Sequence, residues 1–252
     1  MRIVFAAIML LCLATVLLQA QEMSSAWFGG IGVGIGAHDN EAFSNRLSSW
    51  SPVGENGREM VYRTGRFSST GFTANAGGGL LLGGGFVLGA SGERLFFPSV
   101  VGVTTEEEVG EYSLSGGGGG LEFGWAFYNN SGTLVWPYVS VGYYGYALDF
   151  TNNLSDSIPL FEGTPIAPGG QATYTGAAPR IGLGVGLTRF LGGSKGASSI
   201  TVPVVTARLG WGIFPSHPEW EQDGVTVNNG GHTPCYSALA LSVTIGGGGA
   251  SF

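Results

Sequence analysis

Residues 181–188 read Ile-Gly-Leu-Gly-Val-Gly-Leu-Thr, so that Ile181, Leu183, Val185 and Leu187 alternate with Gly182, Gly184, Gly186 and Thr188. An extended chain turns successive side chains to opposite faces, and a two-residue period of this kind marks a strand with one large apolar face and one small or polar face. The alternation recurs. Ile31, Val33 and Ile35 oppose Gly30, Gly32, Gly34 and Gly36; Leu121, Phe123, Trp125 and Phe127 oppose Gly120, Glu122, Gly124 and Ala126; Leu239, Leu241, Val243 and Ile245 oppose Ala238, Ala240, Ser242 and Thr244. A helical period nowhere lasts beyond a turn, and the pattern predicts an all-β chain.

Which all-β architecture follows from the charge. Only 11% of the 252 residues are charged, 44% are hydrophobic, and 47 are glycine; soluble domains carry about 25% charge and about 7% glycine. A soluble sandwich would show charges on its outer faces, and these strands have almost none on either. A transmembrane barrel turns large apolar residues to lipid and keeps Gly, Thr and a few charges in its lumen, which matches both the alternation and the low charge. Glycine weakens strands but allows tight curvature and leaves space between inward side chains.

Eight strands are expected, near residues 26–38, 67–80, 85–94, 109–127, 133–149, 173–190, 199–213 and 235–245. Short links at Leu82 to Gly84, Asn129 to Gly132 and Gly192 to Gly196 alternate with long ones at Asp39 to Arg66, Leu95 to Glu108, Phe150 to Ala172 and Phe214 to Pro234. Short turns at one end and long loops at the other are the outer-membrane arrangement. The count would rise to ten if Arg58 to Arg66 formed an additional hairpin.

At the N-terminus, Arg2 precedes an apolar run from Ile3 to Leu18, and Ala20 supplies a small residue before Gln21. This reads as a signal peptide over 1–20, cleaved to leave a barrel domain over 21–252. Loss of Arg2 takes the formal charge from −7 to −8 and leaves Cys235 as the one cysteine, so no internal disulfide is expected. The acidic balance excludes nucleic acid as a partner. No further apolar run approaches the ~18 residues of a spanning helix.

The chain resembles the small outer-membrane β-barrel proteins of double-membraned bacteria, the OmpA/OmpX/OmpW-like group of eight-stranded up-and-down antiparallel barrels. The signal, the Gly-rich alternating strands, aromatics near strand ends (Trp27, Phe127, Tyr128, Trp136, Tyr138, Trp211) and the terminal Phe252 carry the resemblance. It implies outer-membrane lipids and the barrel-insertion machinery as partners, with Phe252 belonging to the signal that machinery reads. The match there is partial. Phe252 lies out of phase with Leu239 to Ile245, and a bulge within Gly246 to Gly249 would restore it.

An eight-stranded barrel is just wide enough to be filled by side chains. With the apolar residues facing lipid, Glu122, Arg180 and Arg208 face the lumen, where opposite charges pair, and a structural network among the three is expected. Glu93-Arg94 is expected at a solvated loop end. His38, at the end of the first strand, and His217 and His232, in the fourth long loop, could converge at the outer rim, though their spacing is no recognised metal pattern and no metal site is expected. His38, Asp39 and Ser44 offer the ingredients of an acyl hydrolase or transferase without any family motif. Gly77 to Gly85 and Gly116 to Gly120 lack the Lys-Ser or Lys-Thr of a phosphate loop, so no cofactor is expected. The reading is a non-enzymatic, monomeric outer-membrane barrel with a plugged lumen and a structural or surface-interaction role, its long loops offered to an extracellular partner. The alternatives are a lipid A-modifying enzyme and a narrow channel for small or apolar solutes.

Overall fold

A computed structural model describes residues 22–49, 63–103, 108–161, 163–192, 199–227 and 237–252. In chain order the strands are β1 (Ser25–His38), β2 (Arg63–Thr64), β3 (Thr70–Leu81), β4 (Phe86–Phe96), β5 (Val100–Val103), β6 (Glu108–Trp125), β7 (Tyr128–Asn130), β8 (Thr133–Asn152), β9 (Gln171–Phe190), β10 (Ser199–Ile213), β11 (Glu219–Gln222), β12 (Val225–Thr226) and β13 (Ser237–Ser251); one helix, α1 (Glu41–Ser49), follows β1. The signal-peptide segment 1–20 lies outside the described residues, as does most of Arg58 to Arg66. The part of that segment that is described contributes β2, which pairs with β5 and adds no strand to the barrel wall.

Eight strands, β1, β3, β4, β6, β8, β9, β10 and β13, each pair antiparallel with the next, and β13 pairs with β1 to close the barrel. The register runs from Trp27 through Leu80, Leu88, Phe123, Val139, Leu183, Trp211 and Leu239 to Ala37, ten residues further along β1. Eight strands with a shear of ten imply a strand tilt of about 41° and a radius of about 8 Å. Every residue on that circuit is apolar and outward. Trp27, Leu82, Phe86 and Trp125 ring the end with the short turns, and Ile35, Phe72, Phe96, Tyr143, Trp211 and Leu239 ring the other; all are exposed. Ten residues of tilted strand separate Leu82 from Phe72 and Phe86 from Phe96, a height of about 25 Å.

The short connections follow from turn chemistry. Ser131 (φ 47°) and Gly132 (φ 78°) form the tight turn into β8, the left-handed pair a two-residue hairpin requires. At the other end β6, β8 and β9 outrun the belt, and β5 with β2 on one flank and β11 with β12 on the other widen them into a raised sheet.

Two apolar clusters fill the barrel at its ends. The lower contains Met23, Phe28, Leu81, Val87, Leu134, Trp136, Phe190 and Val204. Asn129 closes that end by donating from Nδ2 to the Met23 carbonyl (2.7 Å) and accepting from the Met23 N–H (3.0 Å). The upper cluster is larger. Phe43 and Leu47 of α1 meet Tyr112, Phe150, Tyr174 and Trp220 from the raised sheet, and Phe43 stacks on Trp220 with ring centroids 5.6 Å apart.

Luminal glycine is matched to these rings. A Cβ on Gly184 would lie 2.5 Å from Tyr138 Cζ, and one on Gly186 would lie 2.7 Å from Trp136 Cζ2. Large side chains from β8 therefore lie over glycines of β9. Trp136, expected among the strand-end aromatics, is fully buried in the lumen, whereas Trp27, Phe127 and Trp211 are exposed on the outer wall. No bulge interrupts Gly246 to Gly249, since β13 pairs continuously with β1 from Ala238 to Ser251. Ile245 keeps its outward phase, and Phe252 packs against the lower cluster.

Candidate functional site

Between the two apolar clusters the lumen carries a layer of charge. Leu121 and Phe123 face outward, which turns Glu122 inward, and Ala207 and Leu209 do the same for Arg208. At a radius of about 8 Å, side chains from β6 and β10 reach across the lumen. Arg208 Nε donates to Glu122 Oε2 at 3.3 Å, and the Ser91 hydroxyl donates to Glu122 Oε1 at 2.6 Å. The Arg208 guanidinium carbon lies 5.7 Å from the centre of the Trp136 ring below it. Both side chains are buried, with 7% and 3% of their surface exposed.

Arg180 does not join this pair. Its Nη1 donates to Glu93 Oε1 at 2.8 Å, and the Tyr144 hydroxyl donates to the same oxygen at 2.9 Å. The guanidinium stacks over the Tyr144 ring at 4.7 Å, with Phe214 at 5.9 Å, and glycine at position 212 leaves it room, because a Cβ there would meet Arg180 Nη2 at 2.9 Å. The expected triad is thus two separate pairs. Glu93 lies in the lumen and not at a solvated loop end. The signal was present in the sequence: Leu88, Ala90 and Gly92 share one face, so continuing the strand to Phe96 puts Glu93 inside and Arg94 outside.

A cavity of about 90 Å³ lies between the pairs, lined by all four charged residues with Asn75, Ser140 and other small groups. Two of its donors, Arg208 Nη2 and Asn75 Nδ2, have no partner among the described residues.

His38 and His217, expected at the rim with His232, do not share a site. His38 turns inward at the outer end of β1, above the belt, where it is buried beside Phe97 with ring centroids 5.2 Å apart. Neither ring nitrogen has a partner among the described residues. Burial lowers its pKa to about 4, with Glu93 opposing and Arg180 reinforcing that shift. His217 is exposed and lines a groove on the outer wall; His232 lies outside the described residues. The other hydrolase ingredients have local tasks. Ser44 Oγ accepts from the Phe67 N–H at 3.2 Å, and Asp39 Oδ1 accepts from the Glu41 N–H at 3.3 Å. Among the described residues no group of three or more His, Cys, Asp or Glu side chains is placed to hold a metal ion.

No family model and no curated protein matches the chain. Among solved structures it is similar to the attachment invasion locus protein Ail of Yersinia pestis, at 10% identity and a TM-score of 0.39, over 91% of this chain and 100% of that one. A major outer membrane protein of Thermus thermophilus matches at 13% identity and a TM-score of 0.45, over 89% and 99%. OprG of Pseudomonas aeruginosa matches at 9% and 0.35, over 93% and 99%. What those proteins bind or do does not pass to this chain at such distances.

Proposed function

We propose that this chain is an integral β-barrel of the bacterial outer membrane, exported on a cleaved signal peptide over 1–20, with a lumen closed by its own side chains and a non-enzymatic structural or surface-interaction role. The observation that carries this reading is the outward belt. Trp27, Ile31, Val33, Ile35, Leu183, Trp211 and Ile245 stand exposed on a closed barrel that keeps both of its ion pairs inside. In water such a belt would far exceed the few hundred Å² of contiguous apolar surface a soluble monomer shows, whereas its height of about 25 Å matches the apolar band of outer-membrane barrels.

The layered lumen supports a closed barrel. An ion entering from either end meets an apolar cluster before reaching the charged layer, and leaving water for such a stretch is costly. Each charge in the layer already has an opposite partner. With long connections leaving the outer end, contact with an extracellular partner falls to α1 and the raised sheet. Phe252, out of phase with Leu239 to Ile245 and packed against the lower cluster, is a tail residue that covers that end of the lumen.

Detergent extraction followed by circular dichroism and gel migration with and without boiling tests the membrane reading. A β-rich spectrum and a heat-dependent shift are expected; a protein soluble without detergent that migrates alike in both lanes would overturn it. Planar bilayers test the closed lumen, where no conductance steps are expected and steps carried by the pure protein would favour a channel.

A further inference from the structure

Both carboxylates of the charged layer are engaged, and two of its donors are not. Glu122 accepts from Ser91 and Arg208, and Glu93 Oε1 accepts from Arg180 and Tyr144. Left over on the wall of the cavity between the pairs are Arg208 Nη2 and Asn75 Nδ2, two buried nitrogens without a partner among the described residues. They come from strands three steps apart around the closed wall, β10 and β3, with β13 and β1 between. Asn75 lies beside Glu93 of β4, and Arg208 lies beside Ser242 of β13. The space between them exists because neighbouring inward positions are small: Ser140, Gly182, Gly210 and Ser242 all line it.

An unpaired buried N–H costs the desolvation of the group, and more when the group is a guanidinium. The cavity, at about 90 Å³, is several times larger than the ~10–15 Å³ that one water needs, and its wall supplies the polar partners that hold ordered water. We infer that this chamber binds ordered water, which accepts from Arg208 Nη2 and Asn75 Nδ2 and donates to hydroxyl and carboxylate oxygens of the wall, so that the two ion pairs become parts of one hydrogen-bonded layer. Charge balance selects water over an anion. Two guanidiniums already face two carboxylates across the layer, and a further negative charge enclosed between apolar clusters would stand uncompensated. A halide can only accept, whereas water accepts from both nitrogens and still gives its own protons to Ser140, Ser242 or Glu93. The inference rests on the barrel fold and not on its place in a membrane, and it goes beyond the closed lumen: side chains seal the two ends, and water completes the middle.

X-ray diffraction from crystals of the detergent-purified full chain, grown with bromide in place of chloride, tests this. Density within about 2.7–3.2 Å of Arg208 Nη2 and of Asn75 Nδ2, without anomalous signal, is expected. An anomalous bromide peak there, or either nitrogen left without density, would overturn the inference. Urea midpoints in detergent give a second readout, decided by its sign. In a dry chamber Asn75→Leu would remove an unpaired amide and a poor strand residue together, and the midpoint would rise. With water bound, Asn75→Leu displaces it and leaves Arg208 Nη2 unpaired, so the midpoint should fall; Asn75→Ser, which keeps a hydroxyl on the wall, should lose less. Heat-dependent gel migration confirms that each variant is folded. A raised midpoint in Asn75→Leu would overturn the water site, whereas conductance steps carried by the wild type would overturn the closed lumen and leave the water site standing.

Discussion

Arg180 and Glu93 meet at 2.8 Å across the upper lumen, and the oxygen they share also accepts from the Tyr144 hydroxyl. Arg180 comes from β9 and Glu93 from β4, with β6 and β8 between them, so one ion pair spans three of the eight strand-to-strand steps around the barrel. The Glu122–Arg208 pair does the same from β6 to β10 with a second hydrogen bond from Ser91. Stacked between apolar clusters, the two pairs fix which strands face one another across the interior.

The first prediction concerns the upper pair. Arg180→Met leaves Glu93 without its cation in a largely desolvated site, a loss of about 3 kcal/mol. The temperature at which the folded band disappears on a gel should therefore fall. Arg180→Met combined with Glu93→Leu should be less damaging than Arg180→Met alone, because no charge is then stranded. An unchanged midpoint in the single variant would show that the pair does not hold the barrel.

A pH dependence follows from His38. Its pKa is lowered by burial to about 4 from an ordinary 6.5, so the unfolded chain takes up a proton at higher pH than the folded barrel does. Stability is therefore full above about pH 6.5 and falls as the pH drops toward 4, by up to about 3 kcal/mol for this group. Urea midpoints at pH 7.5 and pH 4.5, measured in the same detergent, should differ less in His38→Leu than in the wild type. Identical pH dependence in both proteins would exclude His38 as the source.

Much of this arrangement was legible in the sequence because a strand has a period of two and the belt consists of whole runs of it. Ile181 to Thr188 alone fixes which face of β9 is outward, and the eight expected strands correspond to the eight of the barrel. The partner of Arg180 was not legible. Glu93 follows Gly92, and a small residue on the outward face weakens the alternation where it was needed to carry the strand through to Phe96. Pairing across the lumen also depends on shear, which is a property of all eight registers together and leaves no local mark. His38 illustrates the same limit, since its burial depends on Phe97, 59 positions away.

The lower end supplies a local test. Asn129 makes two hydrogen bonds to the Met23 backbone, one through each atom of its amide. Asn129→Ala removes both and leaves the Met23 groups to water, so a loss of about 1–2 kcal/mol is expected. Amide exchange at Met23 should accelerate while exchange within β1 stays slow. Unchanged protection at Met23 would mean that Ser24, whose N–H donates to the Ser251 carbonyl at 2.8 Å, holds the segment unaided.

The fit of ring to glycine gives the strongest test of how the lumen is packed. The three atoms nearest the β-carbon added by Gly186→Ala all belong to the indole of Trp136, with Cζ2 and Nε1 both at 2.7 Å. That indole is fully buried in the cluster with Phe28, Phe190 and Val204, so it must shift within a packed layer to admit the methyl. Overpacking of this kind costs about 1–3 kcal/mol, which should lower the unfolding midpoint of Gly186→Ala although alanine is ordinarily a better strand residue than glycine. Trp136→Leu alone should also destabilise, by opening a cavity. Combining the two places a methyl group where the indole lay, so the double variant should be more stable than the sum of the separate losses. Strict additivity would mean that the two residues do not share space, and that glycine at 186 serves the curvature of β9 and not the packing of its neighbour.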